Sequence, residues 1–232
     1  MRFQKEEKVK HISHLDLVRT MQRSIRRAGI PVSFSQGFNP HPIISFASAL
    51  AVGVTSQGEY MDMTLGKDMD IGELIQSLNQ ALPEGIRILE GKKVSASLPS
   101  LMSVIEKADY IVKFTITDNF TWDTDAWVKA FMEKESIPVE KKGKRGIRQV
   151  DIRPHIDYLK ATVLEGNTVA LRMRISSGSK ANIKPEQVVE ALFNEKNIKV
   201  PDIGLQIHRM DLYAKQKNKL VPPLELDDSI DG

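Results

Sequence analysis

The sequence predicts an α+β protein made of two tandem ferredoxin-like units, each ordered β-α-β-β-α-β. Three observations carry that reading. Stretches with apolar residues at helical spacing alternate with extended ones, the same element order occurs twice, and a small, polar, Pro-containing segment over 96–106 separates the two occurrences.

The first unit covers 1–95. Residues 9–12 read as a short strand. Leu15, Val18, Met21, Ile25 and Ala28 then recur at helical spacing up to Gly29, and Ser13 with Asp16 three residues on resembles a capping box. Residues 31–35 and 43–47 read as extended. Over 59–65, Tyr60, Asp62 and Thr64 alternate with Met61, Met63 and Leu65, the period of a half-buried strand. Asp70-Ile71-Gly72-Glu73 opens a second helix with Ile71, Leu74, Ile75, Leu78 and Leu82 on one stripe; Pro83-Glu84-Gly85 ends it, and 86–94 returns as a strand. The second unit, 107–222, repeats the order: a strand over 108–117, a helix over 123–135 with Trp127, Ala130 and Phe131 inward, and a long strand over 150–164. Glu165-Gly166-Asn167 turns into 168–176, a helix starts at Pro185 with Val188, Val189, Leu192 and Phe193 inward, and a strand runs over 203–213. The matching order suggests an internal duplication. Residues 223–232 hold four acids (Glu225, Asp227, Asp228, Asp231) and read as a mobile acidic tail.

Composition narrows the class. In 232 residues, 41% hydrophobic and 27% charged side chains exclude a globally disordered or fibrous chain. No apolar run approaches the ~18–20 residues of a membrane helix and no secretory segment follows Met1, so a cytoplasmic location is expected. The absence of cysteine excludes disulfides, Cys-ligated zinc, iron–sulfur clusters and thiol nucleophiles.

The net charge is +3, but setting aside 223–232 leaves 33 basic residues against 26 acidic, +7. The cations cluster. Arg19, Arg23, Arg26 and Arg27 fall at i, i+4, i+7 and i+8 on one helix face, and Lys141, Lys142, Lys144, Arg145 and Arg148 crowd into KKGKRGIR. Such clusters attract polyanions by releasing condensed counterions, and guanidinium forks match phosphate oxygens; a solvated face or pairing with acids elsewhere would also account for them. The 141–148 segment reads as a flexible loop that orders on a polyanion. Asp151, Arg153 and His155 share one sheet face if that strand is regular, with ion pairing of Asp151 and Arg153 the plainer use and phosphate binding by Arg153 the functional one.

The most specific motif spans 35–42: Ser35, Gly37, Phe38, Asn39, Pro40, His41 and Pro42. Gly37 allows positive φ, and the two prolines fix φ and remove donors. A stiff loop presenting an aromatic ring, an amide and an imidazole suits a nucleobase or ribose-phosphate; alternatively Phe38 plugs the core at a structural corner. His14 and Asp16 could serve as acid–base groups with His41 or His208 as a partner, yet no Ser/His/Asp order, HExxH, P-loop or GxGxxG supports catalysis. No metal site or cofactor is expected.

Several spaced motifs together resemble a known family. Ser13-His14-Leu15-Asp16-Leu17, Arg23, Arg26-Arg27-Ala28, Pro31, the Ser35 to Pro42 pattern, Ser45-Phe46, Glu59-Tyr60-x-Asp62 and Val150-Asp151-Ile152-Arg153-Pro154 are similar to the radical SAM-linked bacterial domain of unknown function, over nearly the whole chain. The resemblance implies a radical SAM protein as partner, encoded beside this domain or fused ahead of it, in gene neighbourhoods that sometimes include ribonuclease and ribosomal-protein genes. It carries over no catalytic residue. A chain without cysteine would be the companion of the cluster-bearing enzyme.

The expected function is therefore a non-catalytic accessory domain that binds RNA or presents a polyanionic substrate. The two basic clusters would hold phosphates, Phe38, Asn39 and His41 would contact a base or ribose, and both clusters would line one groove. Helices and loops rather than open sheet faces are expected to make the contacts, because the strands lack RNA-recognition-motif aromatics. The alternatives are a metal-independent ribonuclease using His14 and a protein–protein adaptor for the radical SAM enzyme.

Overall fold

The computed structural model describes residues 1–95, 98–115, 123–143, 146–165, 167–195 and 204–227. In chain order its elements are β1 (Arg2–Lys5), α1 (His14–Arg27), β2 (Ile44–Phe46), β3 (Thr55–Met63), α2 (Ile71–Ala81), β4 (Ile86–Glu90), α3 (Leu101–Val104), β5 (Ile105–Thr115) and α4 (Thr124–Met132). There follow β6 (Pro138–Gly143), β7 (Gly146–Asp151), β8 (Ile156–Val163), β9 (Thr168–Ser176), α5 (Pro185–Asn194), β10 (Gln206–Gln216) and β11 (Lys219–Val221). The fold is mixed α+β with few helices and mostly antiparallel pairing. It divides into two compact units, residues 1–106 with 209–232, and residues 107–208.

In the first unit the strands lie in the order β4-β1-β3-β10, with β2 also on β3 and β11 on β10. Helix α1 starts as its sequence dictates. Ser13 Oγ accepts the Asp16 N–H at 3.2 Å and donates to the Asp16 carboxylate at 2.7 Å, which helps hold that carboxyl below its ordinary pKa. Gly29 ends it at φ +64°. Leu17, Met21 and Ile25 pack with Phe3, Met61, Leu74, Leu78 and Ile88 in one core. Helix α2 is capped by Asp70, which accepts from Gly72 and Glu73 N–H at 2.8 and 3.0 Å.

The expected strand at 9–12 is corrected to β1, and residues 7–9 instead form a 3-10 turn. The alternation of β1 is disguised because one inward residue is Lys5, 1% exposed, whose ammonium donates to the carbonyls of Lys10 at 2.9 Å and Ile12 at 3.4 Å. Burial pushes its pKa down. Nor is β3 half-buried: Tyr60 and Met61, on opposite faces, are both buried.

The last strand departs from the expected domain division. From Arg209 onward the chain belongs to the first unit. Arg209 is 1% exposed and forks onto the Glu59 carboxylate, itself 2% exposed, through Nε at 2.7 Å and a second, shorter bond. Ser56 Oγ donates to Arg209 O at 3.1 Å, and Tyr60 OH to Asp211 at 2.7 Å. Gly58 is required here for space, since a Cβ would stand 2.4 Å from Asp211 Cα. The expected mobile tail is likewise corrected over 223–227. Pro223 and Leu226 are buried, Lys92 donates to the carbonyls of Leu224 and Leu226, and Gln216 donates to Asp227; Asp228 and Asp231 lie outside the described residues. The expected linker over 96–106 holds α3 and the first residues of β5.

In the second unit β5, β9 and β8 are neighbours in that order, and Phe114, Trp127 and Phe193 interlock edge to face behind them at 5.1 and 5.4 Å. The expected long strand over 150–164 is broken by a 3-10 turn at Arg153–His155, where Pro154 cannot donate to a ladder. Asp151 does not pair with the Arg153 guanidinium as expected. Its carboxylate accepts the backbone N–H groups of Ile137 at 2.8 Å and Arg153 at 2.9 Å, which lower its pKa. Residues 141–143 and 146–148 do not form the expected flexible loop: β6 and β7 pair in register from Pro138↔Asp151 to Gly143↔Gly146, and 144–145 lie outside the described residues.

Two outcomes follow for stability. Breaking a buried ion pair from one side strands a charge, so Arg209→Met should lower urea-derived stability by about 3–5 kcal/mol, and adding Glu59→Leu should restore most of the loss. Equal stability of the two variants would show that the pair does not behave as a desolvated unit. Asp151 has a depressed carboxyl pKa, so its contribution is complete above the ordinary carboxylate value and is lost as pH falls through the lowered one. Asp151→Asn keeps an oxygen acceptor but should remove this part of the acid sensitivity. Parallel stability–pH curves for wild type and variant from about pH 5 to pH 2 would locate the acid sensitivity elsewhere.

Candidate nucleic-acid interface

The loop over 35–42 is closed by its own polar groups. Ser35 N–H donates to His41 O at 2.9 Å, His41 N–H donates to Ser35 Oγ at 3.2 Å, and His41 Nδ1 lies 3.2 Å from both Ser35 Oγ and Asn39 O. Phe34 and Pro42 bridge its neck. Ile43 N–H to Ser33 O and Ser33 N–H to Thr64 O, both 2.8 Å, tie the neck to the chain just beyond β3. Gly37 at φ +120° has open space around it, so this position needs glycine for its backbone angle and not for room. Phe38 does not plug the core as one reading expected. It is fully exposed, at 107% of its reference area.

The arginines of α1 divide. Arg26 reaches the loop, with its guanidinium 5.9 Å from the Phe34 ring centroid and a long 3.5 Å contact to Pro40 O. Arg27 turns away to donate to Ser24 Oγ at 3.0 Å and to Ala81 O at 2.6 Å, where it satisfies the C-terminus of α2. Its expected place on the phosphate-binding face is corrected accordingly. Arg19 makes only an exposed 3.4 Å contact with Asp16, and Arg23 is exposed with no side-chain partner among the described residues. Leu15, expected to face the core, is 65% exposed and continues the Arg19–Arg23–Arg26 stripe. A fully exposed aromatic ring on a stiff loop thus adjoins a row of cations about 10 Å long.

His14 opens α1, about 18 Å along the helix from Arg26 and the 35–42 loop. Its ring packs edge-on against Phe46 at 5.4 Å, and its Nδ1 is buried without a hydrogen-bond partner among the described residues. Tyr60, also singled out in the sequence, is buried with its hydroxyl pKa raised by burial and by donation to Asp211.

In the second unit the basic cluster rides on the β6–β7 ribbon. Lys141 and Arg148 are directly opposite, Arg148 is exposed, and Lys141 donates to Asn182 O at 3.3 Å. Lys144, Arg145 and the side chain of Lys142 lie outside the described residues. Arg153, expected to bind phosphate, is occupied: its guanidinium donates to Met132 O at 2.9 Å and Ile156 O at 3.2 Å, holding the end of α4. His155 Nδ1 lies 3.2 Å from Ser176 Oγ. Sequence reasoning passed over a polar row that crosses β8, β9 and β5 at Tyr158, Arg174 and Asp109, because residues 16 and 65 positions apart meet only through strand register.

Among the described residues, no three His, Asp or Glu side chains are grouped to hold a metal ion, and no helix is long and apolar enough to cross a membrane. No curated protein matches the chain. A solved structure titled "Crystal Structure of a Cbf5-Nop10-Gar1 Complex" aligns with 90% of this chain at 8% identity and a TM-score of 0.46, and the alignment covers 47% of that chain. This chain thus spans about half the length of that one. Residues 1–185, which include α1, the 35–42 loop and the basic ribbon, match the model of a family described as "Uncharacterized protein conserved in bacteria". The chain belongs to that bacterial family, DUF2344.

Proposed function

We propose that this protein is a non-catalytic, RNA-binding accessory domain of a radical SAM system. The observation that carries the RNA part is Phe38, fully exposed at the tip of a loop closed by Ser35 and His41; Arg26 touches that loop at Phe34 and Pro40, and Arg23, one turn back, has no side-chain partner among the described residues. Bases stack on aromatic rings whatever their identity, and neighbouring cations neutralise the flanking phosphates. Phe38 stacks a base, Asn39 and His41 meet its edge or its ribose, and Arg19, Arg23 and Arg26 hold the backbone. Lys141 and Arg148 on the ribbon hold phosphates in the same way. Like charges directly opposite on paired strands repel, and an anion relieves that. The two surfaces need not meet for this reading, since each recognises phosphate by itself.

The radical SAM assignment rests on the resemblance carried by the spaced motifs of the sequence; under it a chain without cysteine would be the companion and not the cluster-bearing enzyme. The cytoplasm is its proposed location. The scaffold is read as two ferredoxin-like units. In the first, the order β1-α1-β2-β3-α2-β4 with β4-β1-β3 as sheet neighbours supports this; in the second, the order β5-α4-β8-β9-α5 with β5-β9-β8 as neighbours does.

The test is retention of a labelled single-stranded RNA of about ten nucleotides. Affinity should fall with salt by a slope of about 0.7 per phosphate contact, and Arg23→Glu with Arg26→Glu should flatten that slope by about 1.4. Phe38→Ala should weaken binding by about 1–3 kcal/mol at unchanged slope. Retention that ignores salt and all three changes refutes the reading. RNA cleavage in EDTA that His14→Ala abolishes would put a ribonuclease in its place.

A further inference from the structure

The sheet of the second unit has a second face. Strands β5, β9 and β8 bury Ala108, Val112, Leu171, Met173 and Leu159 on one side. On the other side the register forms three rungs: Asp109↔Arg174↔Tyr158, Ile111↔Arg172↔Lys160, and Lys113↔Ala170↔Thr162.

The first rung is locked. Arg174 forks onto Asp109 at 2.6 and 2.8 Å, and its guanidinium stands 5.5 Å from the Tyr158 ring centroid. Burial and the Asp109 carboxylate push the Tyr158 hydroxyl pKa up, so the ring stays neutral. The next two rungs are left open. Lys160 and Arg172 are directly opposite each other, Lys113 is one rung further, and all three are exposed. None of the three has a side-chain partner among the described residues. Two acids of these strands are already committed, Asp109 to Arg174 and Asp157 to Lys107.

Like charges directly opposite on an antiparallel pair destabilise the sheet that carries them. Here three cations without side-chain partners among the described residues sit on adjacent rungs, next to a half-exposed tyrosine against which Arg174 is stacked. Fixed positive charge beside a braced aromatic ring is complementary to a nucleic-acid strand, with phosphates on the cations and a base against the ring. An acidic protein surface would match the charge but would make no use of the ring.

We propose that this open sheet face is a second RNA platform, with Lys113, Lys160 and Arg172 holding phosphates and Tyr158 stacking a base. The proposal takes its ligand class, though none of its residues, from the function proposed above.

The decisive variant is Lys160→Glu, because it turns a repelling pair into an attracting one. The thermal midpoint should hold or rise, while affinity for a labelled single-stranded RNA of about twenty nucleotides should fall roughly five- to tenfold and the salt slope should drop by about 0.7. Adding Arg172→Glu should deepen the loss, and Tyr158→Leu should weaken binding with no change in slope. Each variant is compared with Arg23→Glu/Arg26→Glu. Loss of affinity in the sheet-face variants alone would sustain this platform and remove the loop and α1 as the site. Loss in the α1 variant alone, with Lys160→Glu and Tyr158→Leu unchanged, overturns the platform and leaves the earlier reading standing. Unchanged RNA affinity combined with lost retention of the radical SAM partner would make this a protein-docking face, which also overturns the proposal.

Discussion

The first unit depends on one buried contact, the fork of Arg209 onto Glu59. Strand β3 is the hub of that unit, because β1, β2 and β10 all pair with it. Glu59 lies in β3, and its partner arrives from 150 residues further along the chain. Desolvating two charges costs several kcal/mol before their attraction returns anything, so such a pair is a weak source of net stability and a strong penalty on wrong partners. Slipping β10 by one residue would point Arg209 to the other face and leave Glu59 buried alone. Gly58 sharpens the constraint, since its missing Cβ lets the Met210 and Asp211 backbone come close. Tyr60 and Arg2 then meet Asp211 one step further on. The neck of the 35–42 loop hangs from Thr64, just beyond the end of β3, so register set by Glu59 is transmitted to the place where Phe38 emerges.

Cations divide into two groups that composition does not separate. Lys5, Arg27, Arg153 and Arg209 each hold backbone carbonyls or a buried carboxylate in place. Arg23, Lys113, Lys160 and Arg172 are exposed without side-chain partners among the described residues. An arginine fork can satisfy the end of a helix as readily as a phosphate, since both present oxygen acceptors. Arg26 and Arg27 are adjacent in sequence yet fall in different groups, because 100° of helical rotation turns one toward the loop and the other toward α2.

That division also shows where the sequence could be read. Helix α1 was legible at both ends, since Ser13 with Asp16 and then Gly29 are local signals with local causes. Helices α2 and α4 were legible for the same reason, through Asp70 and Asp123. Strand β1 was not, because its inward Lys5 breaks the apolar alternation and is explained only by carbonyls of the following turn. The β6–β7 ribbon was hidden by its composition: Lys, Arg and Gly describe a mobile loop equally well, and only register distinguishes them. The unit to which β10 belongs could not be read locally, since Glu59 is 150 positions from Arg209. The motif at 35–42 was legible as stiff but not as exposed, because stiffness is written in Gly37, Pro40 and Pro42 while exposure depends on what packs nearby.

Stiffness and exposure together are the physical basis of the recognition role proposed for this loop. Ordering a residue costs roughly 1–2 kcal/mol of backbone entropy, so a mobile eight-residue loop that froze on RNA would lose much of its contact energy to ordering. Here the Ser35–His41 hydrogen bonds, the Gly37 turn and two fixed proline φ angles have ordered the loop already. A structural corner would use that rigidity to bury its largest side chain, as β2 buries Phe46, only 7% exposed. Phe38 is instead held out by the same backbone, where its ring contributes nothing to the core. On the reading proposed above, rigidity that keeps an aromatic ring in water would reduce the cost of binding rather than the cost of folding.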